Sequence, residues 1–218
     1  MTVVETGDSL AVWREVREQV GWAGIGGGET GAVVPAVDGF VAWCEGPVRR
    51  RDPARAGRLR DAYALVRADA AARRPLTFTM LARWQGMVLG TGVVPFRTGD
   101  AYAKGGRERY GLTPHTASDF GRCLEGSAEP GTPLAARAAR TYLDVAFFHP
   151  FADGNARSAL LALTFVLARE GVVLGEVGPL QTTRYADDPL GAADLAELVG
   201  VLIRASACAV RDRAERCH

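Results

Sequence analysis

The stretch HPFADGNAR, residues 149–157, lies between two apolar runs, PLAARAARTYLDVAFF before it and SALLALTFVLAREGV after it. Both runs read as helices. Thr132-Pro133 opens the first, which runs directly into His149. Pro150 denies the helical conformation to the residue before it, so that helix ends at His149. Asp153-Gly154 are turn formers and Asn155 is a favoured N-cap, so a second helix starts there. The second helix is apolar on almost every side and ends at Gly171, as expected of a buried central helix. The nine residues are therefore a loop between two helices, and its second half wraps a helix N-terminus.

Working outward, the other elements are also mostly helical. Ser9 is placed to cap LAVWREVREQV, which stops at Gly21. Asp52-Pro53 opens a helix that reads on to Arg74. Thr77 or Thr79 caps the next, through MLARWQGMVLG. Thr113-Pro114 opens one ending near Gly126, and Gly191 to Ala207 makes the last. In GVVPFRTGDAYAKGGRERYGL the character changes, with short β-prone pieces around Arg97 to Asp100 and Gly105-Gly106 that read as a hairpin or an irregular loop. The fold class is mostly α, with one small β element.

GWAGIGGGETG contains Gly26, Gly28 and Gly31 in a G-x-G-x-x-G spacing. No strand precedes it and Pro35 follows where a helix should run, which excludes a dinucleotide site; no Lys follows, which excludes a Walker loop. It reads as a plain flexible loop. At 218 residues the chain suits a single domain with a real core, and its net charge of +1 argues for neither nucleic acid nor a membrane surface. Of the 26 basic residues only Lys104 is a lysine, a pattern of coding bias and not of a binding patch. Cys44, Cys123, Cys208 and Cys217 form no CxxC pair, against a disulfide framework or zinc site. With no signal-like start and no apolar run of membrane length, the expectation is a soluble cytoplasmic protein.

The chemistry of the motif follows from its residue types. A helix N-terminus presents unpaired N–H groups and a partial positive charge, an anion site to which Arg157 adds a guanidinium fork. Asp153 beside bound phosphates suits Mg²⁺, which takes one carboxylate and shares phosphate oxygens. His149 can take a proton near neutral pH, while Phe151 pins the loop to the core. Together these describe transfer of a phosphorus centre onto a hydroxyl.

The string resembles the signature of the Fic/Doc family, HPFx[DE]GNxR, at His149, Pro150, Phe151, Asp153, Gly154, Asn155 and Arg157. The resemblance implies a Fic-like helical domain with a small β-hairpin flap, over residues 76–206, between an N-terminal helical extension (1–75) and a C-terminal tail (207–218). It implies ATP or another nucleotide as donor, Mg²⁺ as cofactor, and AMP transfer to a hydroxyl of a target protein, or else to a small-molecule acceptor. By that likeness His149 is the general base, Asp153 the metal ligand, and Gly154, Asn155, Ala156 and Arg157 line the phosphates. Val94, Phe96 and Arg97 fall in the flap expected around Val94 to Tyr102, which aligns a target segment by strand addition.

The sequence departs from the family pattern in three ways. Ala156 stands where the family usually has Gly, or Lys in the Doc branch. Leu160 stands where AMP-transferring members carry a second Arg, as do the apolar residues of Doc-type members, which transfer the γ-phosphate. The self-inhibitory pattern, Ser or Thr with Glu four residues later, is absent from the sequence. The alternatives are thus a Doc-like kinase, the toxin of a toxin–antitoxin pair, or a degenerate Fic fold serving as a binding module. If the chain transfers AMP, another arginine, such as Arg97 or Arg107 from the flap region, replaces the missing clamp. Any restraint would come from a separate antitoxin-like partner.

Overall fold

In a computed structural model, residues 7–28 and 31–216 are described; Cys217 lies outside them. The first helix, α1 (Ser9–Gln19), is capped by Asp8 and not by Ser9: the Asp8 carboxylate accepts the Leu10 N–H at 3.0 Å. Ser9 is already helical, and Asp is an equally good cap. The glycine-rich loop begins with a short 3₁₀ turn, Trp22–Gly24. It packs closely at Gly26, where an added Cβ would meet that of Ala135 at 3.0 Å.

A broken helix that the sequence pattern does not reveal follows: α2 (Gly39–Trp43), a π turn Cys44–Val48 and α3 (Arg49–Arg51). Pro47 sits inside it and cannot donate to the ladder, which is consistent with the wide turn. Asp52 caps α4 (Pro53–Ala71) as expected, and Thr77 caps α5 (Phe78–Leu89), which ends on Gly90 in the left-handed conformation.

The hairpin lies later than its expected position. Strands β1 (Ala101–Ala103) and β2 (Glu108–Tyr110) pair antiparallel, with Tyr102 opposite Arg109. They are joined by the turn Lys104–Gly106, where Lys104, Gly105 and Gly106 all have positive φ (52°, 70° and 85°). On its other side β2 meets Asp8 in a parallel bridge to Arg109. Among the described residues, no strand or bridge pairs with the outer edge of β1.

The remaining helices are α6 (Thr116–Glu125), α7 (Leu134–Phe148), α8 (Asn155–Arg169) and α9 (Pro189–Arg216). The last runs well past Ala207. α7 and α8 form the central pair; α9 covers α7, α4 and α5 cover α8, and α1 lies across α7 and β2. Alanines at 135, 136, 138 and 139 are all buried on α7, which lets its neighbours approach closely, and α8 is buried from Ser158 to Leu167. Where α1 crosses α7, the Trp13 indole and the Arg17 guanidinium both donate to Oδ1 of Asp144, at 3.1 and 2.8 Å. Asp144 is fully buried, and burial pushes its carboxyl up against the opposing pull of Arg17. The result is a mostly helical chain with a two-stranded hairpin. No helix among the described residues is long and apolar enough to cross a membrane.

Candidate active site

α7 ends on His149 with φ 47° and ψ 57°. The helix stops where Pro150 dictates, but His149 takes the left-handed conformation and not the extended one. A non-glycine residue there is strained, and surrounding structure must hold it. Phe151 supplies part of that hold: it is fully buried and stacks on Phe78 at 5.6 Å, within a cluster that includes Phe96, Phe120 and Phe148.

The Asn155 side chain supplies another part. Its Oδ1 accepts the Phe151 N–H at 3.0 Å, and its Nδ2 donates to the Phe151 carbonyl at 2.8 Å. This corrects the sequence reading of Asn155 as the N-cap. Asn155 is the first helical residue, Gly154 occupies the cap with φ 78°, and the amide locks the loop into a ring. Glycine is favoured at 154 by its positive φ, and an added Cβ would also press on Nε2 of Gln85. That Nε2 donates to the Asp153 carbonyl at 2.5 Å, so buried α5 holds the turn from below.

No side chain caps the N-terminus of α8, and the geometry of a first turn leaves the N–H groups of Asn155 and Ala156 without helical partners. Asp153 is three-quarters exposed; its Oδ1 accepts the Gly154 N–H at 2.6 Å and its Oδ2 faces Arg157 at 3.3 Å. Among the described residues no three His, Cys, Asp or Glu side chains gather as a metal cluster. A lone accessible carboxylate beside an anion site nevertheless fits Mg²⁺, which needs few protein ligands when phosphates and waters supply the rest.

His149 opens onto a cavity of about 340 Å³ lined by the hairpin, α7, Ala156 and residues 181–184. Its ring lies on that of Tyr110, centroids 4.2 Å apart and 19° from parallel. The Tyr110 hydroxyl donates to Glu108 at 2.6 Å, and Glu108 also receives Lys104 at 2.7 Å. His149 makes no side-chain hydrogen bond; Nδ1 is buried, leaving Nε2 to meet a ligand. Burial lowers its pKa to about 4, opposed by the Ala146 carbonyl, which favours the protonated ring without reaching hydrogen-bond geometry. A neutral imidazole at ordinary pH can accept a proton from an incoming hydroxyl.

Residues 75–167 match the model of the Fic/DOC family. The fold agrees with solved structures of that kind. Residues 75–167 are a Fic/DOC family domain. Fic-1 (residues 134–508) from C. elegans superposes with a TM-score of 0.53 and 15% identity, over 96% of this chain and 72% of that one. The IbpAFic2 histidine-to-alanine variant, solved in complex with adenylylated Cdc42, gives 0.55 and 12%, over 92% and 71%. A Fic-domain signalling protein from Bacteroides thetaiotaomicron gives 0.48 and 16%, over 93% and 86%. Among curated proteins none matches by sequence.

Within the Fic domain, His149 and Ala156 line the cavity, while Asp153 and Arg157 pair with each other on the α8 end. Val94, Phe96 and Arg97 precede the hairpin instead of forming it. Phe96 joins the aromatic cluster, and Arg97 is buried with its guanidinium on the carbonyls of Gly99, Gly111 and Phe148. Its own N–H donates to the Pro150 carbonyl at 2.9 Å, so this segment braces the motif. Sequence reading missed Gln85, Tyr110, Glu108 and the 181–184 loop. Gln85 is a polar residue on the α5 stripe that carries Leu81 and Val88, a signal that could have been used; the loop offered none.

Proposed function

We propose that this protein is a Mg²⁺-dependent transferase that moves AMP from ATP to a hydroxyl of a target protein. The catalytic unit falls within residues 76–206, and the helices among the described residues before it form an extension packed on it. The observation that carries the reading is His149 Nε2, unbonded in a cavity that also receives the first turn of α8, beside a sequence match at every specified position of the family signature. The complex of IbpAFic2 with adenylylated Cdc42 supports a protein as the acceptor.

In this reading His149 takes the proton of the acceptor hydroxyl as its oxygen attacks the α-phosphorus. The P–O bond to pyrophosphate breaks, and the pyrophosphate carries away the displaced charge. The N–H groups of the first turn of α8 and Arg157 hold the phosphates, with Gly154 leaving room for them. Asp153 would hold Mg²⁺, whose charge neutralises the phosphate oxygens. The target's backbone adds to the open edge of β1.

Leu160 favours a second reading. It is 1% exposed within the core of α8, so that position provides no cation for a leaving pyrophosphate. In that case the nucleotide sits reversed and the γ-phosphate is transferred. ATP labelled separately at the α- and γ-phosphates, incubated with the protein and cell lysate, tests both. Label reaching protein from the α position, with the mass of AMP, supports AMP transfer; label from the γ position alone makes the enzyme a kinase. No label from either sinks the transferase.

A further inference from the structure

An AMP-transferring site needs a cation beyond Arg157, and the structure removes both residues that the sequence offered for it. Arg97 is spent on three backbone carbonyls. Arg107 lies outside the His149 cavity, with its Nε on the Lys104 carbonyl at 2.9 Å.

Arg184, which follows α8 by a long loop, lines that cavity together with His149 and Ala156. Its Nε is buried with no partner, and its one hydrogen bond is a long 3.5 Å contact from Nη1 to the Gly191 carbonyl. Among the described residues no carboxylate lies within ion-pair distance of it; the cavity's one carboxylate, Glu108, is matched by Lys104 and Tyr110. The cavity therefore holds one uncompensated positive charge with donor capacity unused. Leaving such a group unpaired is unfavourable unless a ligand completes it.

The loop is also held in place. Lys104 donates to the Arg184 carbonyl at 2.6 Å and sits 3.5 Å from the centre of the Tyr185 ring. The turn of the hairpin thus fixes the backbone that carries the guanidinium. Gln181, Thr182 and Thr183 add an amide and two hydroxyls on the same wall. A planar fork, hydroxyls and helix N–H groups facing one space form a phosphate site.

We propose that Arg184 is the second cation of this site and binds a phosphate of the donor nucleotide in the cavity it shares with His149 and Ala156. The proposal rests on the nucleotide-transferase reading. It assigns to a residue far beyond the motif the charge that Leu160 does not provide.

Calorimetric titration of the full chain with ATP, adenosine and inorganic pyrophosphate tests it. Arg184→Ala should weaken ATP and pyrophosphate by about tenfold or more, because a charge-assisted pair is lost, and leave adenosine unchanged. Arg184→Lys should recover part of the loss, and equal melting temperatures would show that the fold is intact. If either variant unfolds, pyrophosphate protection of the wild-type Arg184 from an arginine-specific dicarbonyl reagent, mapped by mass spectrometry, gives the same answer. Unchanged ATP affinity in Arg184→Ala, or no protection, overturns the proposal and leaves the nucleotide reading standing. Pyrophosphate binding that depends on Arg184, with no binding of any nucleotide, would keep the anion site and sink the nucleotide reading. Wild-type protein that binds none of the three would sink both.

Discussion

His149 is held in a left-handed backbone and stacked on Tyr110, and its burial there is what disfavours the protonated ring. Its pKa of about 4 in the folded chain lies below the 6.5 of an exposed ring. As pH falls, the unfolded chain therefore takes up the proton first. The stability tied to His149 is fully present above about pH 6.5 and lost as pH falls through 4. The acid limb of kcat/KM set by this base should likewise fall near pH 4 and not near 6.5. His149→Ala should lower turnover by about 10²–10⁴-fold while leaving the melting temperature close to wild type. An active alanine variant would remove His149 from the chemistry. Asp153 makes a different test. Asp153→Ala should weaken ATP binding in Mg²⁺ and change it little in EDTA, because its carboxylate acts through the ion; equal losses would make it a turn residue only.

At the scale of elements, the loop between α7 and α8 is over-determined. Asn155 rings it, Phe151 anchors it and Gln85 braces it, while Gly154 allows the turn at all. Gly154→Ala should displace the α8 N-terminus, since a left-handed alanine is strained and its methyl would overlap Gln85. Loss of nucleotide binding with only a modest fall in melting temperature is the expected outcome. The helix pair and loop were legible in the sequence because Pro150, Gly171 and the apolar runs are local signals. Asn155 was misread because its amide satisfies Phe151, four residues back, a choice that propensity does not encode. The hairpin was legible as a change of character but not in its limits. Val94 to Asp100 is β-prone by composition, yet Phe96 and Arg97 are drawn into the core by partners far away in sequence. The π turn around Pro47 and the cavity wall at 181–184 depend wholly on tertiary contacts.

Across the whole molecule, the family match ends well short of what the fold needs. Asp144 relies on Trp13 and Arg17 from α1, and α7 relies on α9. Residues 75–167 expressed alone should fail to fold: without α1, α4 and α9 the buried faces of α7 and α8 lie open to water, and each large apolar side chain so exposed costs about 1.5–3 kcal/mol against a typical stability of about 5–15. A cooperative melt from that fragment would refute this. Regulation also belongs at this scale. The sequence lacks the inhibitory Ser/Thr–Glu spacing, and the one carboxylate lining the His149 cavity, Glu108, is occupied by Lys104 and Tyr110. The full chain is therefore expected to be active without relief. Glu108→Gln should not raise turnover measurably in an assay of the purified protein, and a sharp increase would identify Glu108 as an internal brake.

The Lys104 ammonium, shared between Glu108, the Arg184 carbonyl and the Tyr185 ring, belongs to the chain's one lysine. Reductive methylation with isotope-labelled formaldehyde would accordingly mark a single side chain, apart from the α-amino group. It would give one methyl resonance seated where hairpin and loop meet, a spectroscopic reporter that needs no engineered residue.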